Sequence, residues 1–92
     1  MNHIKVYVPV EVAFEEDGRM FPRRVLWEDG RTYTVDRVLD MRPAHAARAG
    51  GQGDRYTVRV NGHETYLFFE HAPDSGGAVM GRWFVERKES AQ

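Results

Sequence analysis

The run Trp27-Glu28-Asp29-Gly30-Arg31-Thr32-Tyr33-Thr34-Val35 constrains this chain more than any other. Asp-Gly between segments rich in β-branched and aromatic residues is the strongest short-range hairpin signal a sequence carries. Side-chain parity then selects the loop length. A two-residue Asp29-Gly30 loop would pair Leu26 with Tyr33 and Val25 with Thr34. A three-residue Glu28-Asp29-Gly30 loop instead gathers Val25, Trp27, Tyr33 and Val35 on one face. Because a slip of one residue exchanges the faces, only one choice can bury the larger apolar set. We expect the three-residue loop, with Gly30 at positive φ as the bulge residue and Trp27 buried beside Tyr33.

The flanking segments read as strands. Residues 3–14 alternate, with Ile4, Val6, Val8, Val10, Val12 and Phe14 on one face, so a single long strand is expected. Pro9 places it at an edge or bends it there. A turn at 15–19 leads into a second strand at 20–27. The third, 31–41, breaks parity, and a bulge near Asp36-Arg37 would let both Val35 and Val38 face inward. Residues 43–53 form the only long irregular stretch. Within it Ala44-His45-Ala46-Ala47-Arg48-Ala49 favours at most one short helical turn near 44–49, and Gly50, Gly51 and Gly53 end it.

Residues 55–60 alternate again, and Asn61-Gly62 is a preferred type I′ turn. A two-residue loop there pairs Val60 with His63, Arg59 with Glu64, Thr57 with Tyr66 and Arg55 with Phe68. Tyr56, Val58, Val60, Leu67 and Phe69 then face inward, and Arg55, Arg59, Glu64, Tyr66 and Phe68 outward. A Pro/Gly/Ser-rich loop precedes the last strand at 79–87. About six strands with turn signals between them imply an all-β fold, a small antiparallel barrel or sandwich. One β domain over 1–88 with a frayed tail at 89–92 is the expected organisation.

With no cysteine, disulfides, Cys-ligated zinc and thiol nucleophiles are excluded. Ser75 and Ser90 lie in no nucleophile elbow. The four histidines stand at no ligand spacing, and His63-Glu64 and Glu70-His71 lie at opposite ends of one strand, roughly 20 Å apart at about 3.3 Å per residue. No metal, cofactor or catalytic residue is therefore expected, and the chain leans away from enzymes. Met1 is followed by no apolar signal segment, and no run of about 18 apolar residues exists. We expect a cytoplasmic protein that does not enter a membrane, either a monomer or a weak homodimer.

Net charge is −1, yet residues 19–59 hold nine arginines against five acids. Arg55 and Arg59 beside Tyr66 and Phe68 form the combination that stacks and neutralises single-stranded nucleic acid on OB-type barrels. The competing expectation is that the two rings are covered and that Arg59–Glu64 is an ordinary cross-strand pair. Ala49-Gly50-Gly51-Gln52-Gly53, flanked by Arg48 and Arg55, offers backbone N–H groups to an anion, against the plainer reading of a connection. The sequence thus suggests a binding module with Arg48, Arg55, Arg59, Tyr66 and Phe68 as ligand-binding residues. Its partner would be single-stranded nucleic acid or a nucleic-acid-processing protein. The alternative is a protein-interaction module that dimerises through an edge strand.

Four stretches carry a resemblance: Trp27-Glu28-Asp29-Gly30-Arg31-x-Tyr33-x-Val35-Asp36-Arg37-Val38-Leu39-Asp40, Ala49-Gly50-Gly51-x-Gly53-x-Arg55-Tyr56-Thr57-Val58, Glu64-x-Tyr66-Leu67-Phe68 and Trp83-Phe84-Val85-Glu86-Arg87. Together they resemble a family of short bacterial hypothetical proteins of unknown function, from about Val6 to Arg87, and the resemblance implies no catalytic residue. The segment 27–39 and the Trp83 strand are also faintly similar to a domain at the C-terminus of some bacterial Y-family polymerase-like proteins. That likeness implies a nucleic-acid context.

Overall fold

A computed structural model describes residues 3–46, 51–72 and 80–88. Among them are eight strands and no helix: β1 His3–Tyr7, β2 Val10–Phe14, β3 Met20–Leu26, β4 Thr32–Thr34, β5 Arg37–Ala46, β6 Gly51–Val60, β7 His63–His71 and β8 Gly81–Lys88. They form two antiparallel sheets, one of five strands in the order β1-β8-β7-β6-β5 and one of three in the order β2-β3-β4. The fold is a small antiparallel sandwich and not a closed barrel. Among the described residues no helix is long and apolar enough to cross a membrane.

The count rises from the expected six to eight because two strands break where they change sheets. At the first corner the Val8 N–H bonds the Trp83 carbonyl at 3.0 Å, while the Pro9 carbonyl accepts from Leu26 at 3.0 Å. Neighbouring residues therefore serve opposite sheets, and Pro9 loses no ladder donor. At the second corner the Val35 N–H bonds the Arg23 carbonyl and the Asp36 N–H the Arg59 carbonyl, each at 2.8 Å. The bulge expected near Asp36-Arg37 is this crossing; the bulge in β5 lies beyond it, where Leu39 is left out between the Val38↔Val58 and Asp40↔Thr57 pairs.

The 28–30 loop has the expected length. Val25 pairs with Tyr33 and Leu26 with Thr32, Gly30 has φ 85°, and the Trp27 N–H donates to the Arg31 carbonyl at 2.8 Å. Glu-Asp-Gly-Arg recurs at 16–19 and folds alike: Gly18 has φ 90°, and the Glu15 N–H bonds the Arg19 carbonyl at 2.8 Å. In both turns the aspartate accepts from the arginine backbone N–H two residues on, at 3.1 Å for Asp17 and 2.9 Å for Asp29. Asn61 and Gly62, at φ 51° and 77°, make the expected turn, and all the β6–β7 pairs above are observed.

Residues 44–46 are not helical. Ala44, His45 and Ala46 pair with Gly53, Gln52 and Gly51, so the stretch read as irregular is largely two arms of a β-hairpin. Partner strands override a local propensity worth a few tenths of a kcal/mol per residue. Gly53 suits this place because a Cβ there would collide with the Phe69 carbonyl. The tip, with Ala47, Arg48, Ala49 and Gly50, lies outside the described residues, as does the 89–92 tail.

Between the sheets Val8, Val25, Val35, Tyr56, Val58, Leu67, Phe69 and Trp83 form one buried cluster. Trp27 is half-buried against it, less covered than expected. Phe14, expected inside, is 59% exposed, because β2 outruns the core at its turn. Phe68 and Phe84 form a second cluster on the far side of the larger sheet. Truncating the fully buried Phe84 to Ala should cost about 3–5 kcal/mol in urea unfolding, and Trp27→Ala should cost roughly half of that.

Candidate functional site

Tyr56 and Val58 point into the core, so Arg55, Thr57 and Arg59 occupy the outer face of the five-stranded sheet. Across the β5–β6 ladder Arg37 stands opposite Arg59 and Arg42 opposite Arg55. The Arg59 carbonyl faces β5, where it accepts from Asp36. The alternation therefore makes both arginine pairs the closely hydrogen-bonded kind, with Cα atoms about 5.5 Å apart. Like charges directly opposite destabilise a ladder, and this strand pair carries two such juxtapositions on one face. Arg42 has relief from Asp40, 2.8 Å away. Among the described residues no carboxylate forms an ion pair with Arg37, Arg55 or Arg59; Arg59 and Glu64 are register partners, but no salt bridge joins them.

The neighbouring strand supplies the rings. The Arg55 guanidinium lies 4.6 Å from the centre of the Tyr66 ring, which covers one side of a residue that is 48% exposed. Tyr66 in turn meets Phe68 edge-on at 6.4 Å. Phe68 differs from Tyr66: only 2% of it is exposed, because it stacks on Phe84 at 4.9 Å and 7°. Tyr7 stands edge-on to Phe84 at 5.9 Å, and the Arg82 guanidinium lies 3.4 Å from the Tyr7 ring centre.

A charged clasp closes over these rings. The Lys5 ammonium lies 5.1 Å from the Phe84 ring centre and donates to Glu70 at 2.6 Å. The Tyr7 hydroxyl donates to the other Glu70 oxygen at 2.8 Å. Those two bonds, the lysine's first, hold the Glu70 carboxyl below the usual carboxylate range. The same bond raises Lys5, against the desolvation that would lower it.

Of the residues expected at the site, Arg55, Arg59 and Tyr66 converge, Phe68 is covered, and Arg48 lies outside the described residues. Gly51 and Gly53 belong to the β5–β6 ladder and form no open anion loop. Arg37 and Arg42 were not singled out from the sequence. The arginine excess over 19–59 was the available signal, but the β5–β6 register needed to place them was hidden by the irregular reading of 43–53.

The two ends of the sandwich are hollow. One end is a cavity of about 310 Å³ among residues including Trp27, Tyr33, Asn61, His63, Thr65 and Tyr66. The other is a cleft of about 860 Å³ whose walls include Phe14, Leu39, Met41 and Met80, four of the exposed large apolar side chains. At this second end Tyr56 donates to the Met20 carbonyl at 2.9 Å, and burial pushes its phenol up. His71 pairs with Asp54 there at 2.9 Å. No family model matches the chain, and no curated protein or solved structure is significantly similar to it.

The clasp gives a pH dependence with a definite sign. A lowered carboxyl contributes stability that is complete above the ordinary glutamate value, about 4.3. That contribution fades as the pH falls through the lowered folded value. Glu70→Gln should therefore cost about 1–2 kcal/mol at pH 7. The difference in urea stability between the variant and the unaltered protein should shrink as the pH falls below that ordinary value. A difference that does not shrink on acidification would assign the loss to packing.

Proposed function

We propose that this domain is a non-enzymatic binding module for single-stranded nucleic acid, engaged through the outer face of the five-stranded sheet. The observation that carries the reading is the pair of arginine–arginine juxtapositions, Arg37 opposite Arg59 and Arg42 opposite Arg55. An arrangement that weakens its own ladder makes physical sense when an anion is to lie across it. Guanidinium forks match phosphate oxygens two at a time. Beside them, the uncovered side of Tyr66 offers a base a stacking platform. The acids that bring the whole chain to −1 include Glu11, Glu15, Glu16, Asp17, Glu28 and Asp29, which belong to the smaller sheet and its turns.

A homodimer paired through β5 is the competing arrangement. Against it stand the bulge at Leu39 and Pro43, which has no N–H to offer. Both are devices that blunt an edge.

A fluorescein-labelled dT12 should bind with affinity falling as salt rises, the log–log slope being roughly −2 to −3 for three or four phosphate contacts. Arg59→Ala or Arg37→Ala should flatten that slope by about 0.7 each. Tyr66→Ala should cost about 1–3 kcal/mol and leave the slope unchanged. Absence of any anisotropy change at 20 mM salt would end this reading.

A further inference from the structure

The cavity at the Asn61–Gly62 end adjoins the arginine face and has a shape that the sheet itself creates. β7 and β8 pair only from Phe68↔Phe84 to His71↔Gly81. Beyond Phe84, β8 pairs with β1 through Val6↔Val85 and Ile4↔Arg87, while β7 runs on with β6 to its turn. The two strands therefore splay, and a wedge opens in the sheet between residues 64–67 of one and 85–88 of the other. The 310 Å³ cavity lies on the inner side of this wedge. A smaller hollow of about 170 Å³ lies beside it, and Thr65, Tyr66 and Glu86 line both. Tyr66 thus belongs at once to the arginine face and to the cavity wall.

The lining has two chemistries. Val25, Val58, Leu67 and the half-buried Trp27 and Tyr33 make the walls apolar and partly aromatic. The Tyr33 hydroxyl is held by Asp29 at 3.3 Å. Three exposed polar side chains, Asn61, His63 and Thr65, also contribute to the lining, and among the described residues none of them has a hydrogen-bond partner. Their groups both donate and accept. A mostly apolar hollow of a few hundred Å³ with a few free polar groups is the form of a site for one small, largely planar molecule. Glu86 also lines the cavity, so a free anion is disfavoured among those walls, and an extended peptide is too long.

Position identifies the molecule. Arg59 is two residues from Asn61, about 7 Å along the strand. Tyr66 faces Thr57, which lies between Arg55 and Arg59. A strand whose phosphates lie on Arg37 and Arg59 has its bases beside Tyr66, at the lip of the wedge. We infer that the cavity receives one unstacked nucleobase of the bound strand, held between Trp27, Tyr33 and Tyr66, with its hydrogen-bonding edge met by Asn61, His63 and Thr65. This rests on the nucleic-acid reading above and adds base recognition to a face that reads only phosphate and stacking. Taking a base out of its stack costs least in single strands, which fits the same class of ligand.

The two layers can be tested separately. Binding of dT12, dA12 and dC12 and of an abasic 12-mer is followed by the anisotropy of a terminal label, and base entry by quenching of tryptophan emission. Trp27→Phe identifies the source of the quench, since the second tryptophan, Trp83, is 8% exposed in the core. The abasic strand should bind with the same salt slope as the others and produce no quench. At least one base series should quench the emission, and Trp27→Phe should abolish the effect. Thr65→Trp, at an exposed position of the lining, should fill the hollow and weaken the preferred series at least fivefold toward the abasic strand, with Arg59-dependent binding retained. Thermal melting checks that both variants fold.

Strands that bind with an unchanged salt slope, no Trp27 quench and no effect of Thr65→Trp would overturn the base pocket while leaving the arginine face standing. Quenching by dTMP or dAMP without binding of any 12-mer would refute the face and keep a nucleobase cavity. Silence in both assays would remove both.

Discussion

Everything in this fold depends on two places where adjacent residues bond to different sheets. Val8 and Pro9 divide their backbone groups between Trp83 and Leu26, and Val35 and Asp36 divide theirs between Arg23 and Arg59. Each crossing keeps its buried polar groups satisfied through a sharp change of direction, the usual difficulty of turning a corner inside a protein. Val8 and Val35, each 6% exposed, anchor the two crossings in the core. Because both edges of the larger sheet continue into the smaller one, the layers cannot slide apart. The hollow ends follow from the same geometry, since paired strands diverge as they leave a corner.

The larger sheet has a second buried layer on its outer side, small but well defined. The Phe68–Phe84 stack joins β7 to β8, and the Lys5–Glu70–Tyr7 clasp covers it while tying β1 across β8 to β7. This layer divides the outer face into two parts. Toward β1 the cations are engaged with rings and with Glu70; toward β5 three arginines have no carboxylate partner among the described residues. The same sheet face thus holds one half whose charges are paired within the fold and one half in which those three arginines are not.

What could be read from the sequence followed the turns. Asp29-Gly30 and Asn61-Gly62 have backbone demands that few other residue pairs meet, so loop length, register and face assignments for Val25, Tyr33, Tyr56 and Leu67 come directly from them. Pro9 marked an edge or a bend, but the change of sheet there was not legible, because alternation continues unbroken from Val6 through Val8 to Val10. Helix propensity at 44–46 misled because pairing with residues 51–53 outweighs it. Burial of Phe68 on an outward position needs the β7–β8 register. That register is set across residues 72–80, where the sequence carries no Asn-Gly or Asp-Gly pair, so Phe84 and Tyr7 could not be foreseen above it. Arg37 and Arg42 escaped notice for a related reason, their partners being fixed by a hairpin whose arms look like loop.

The pairing of the first strand with the last carries a consequence for how the chain reaches this state. β2, β3 and β4, and likewise β6 and β7, meet partners that are close in sequence and can zip from their turns. β1 cannot: His3 lies opposite Lys88 and Val6 opposite Val85, a closure across nearly the whole chain. Such a non-local contact brings little reward until the loop entropy between its ends has been spent, so folding is slow and its last step comes late. On a ribosome, β1 would emerge before β8 and would wait for it to be made. Until then β8's place in the sheet is vacant and the Phe68 ring stands bare. The interval between synthesis and closure is therefore when this domain is most open to aggregation or to capture by a chaperone.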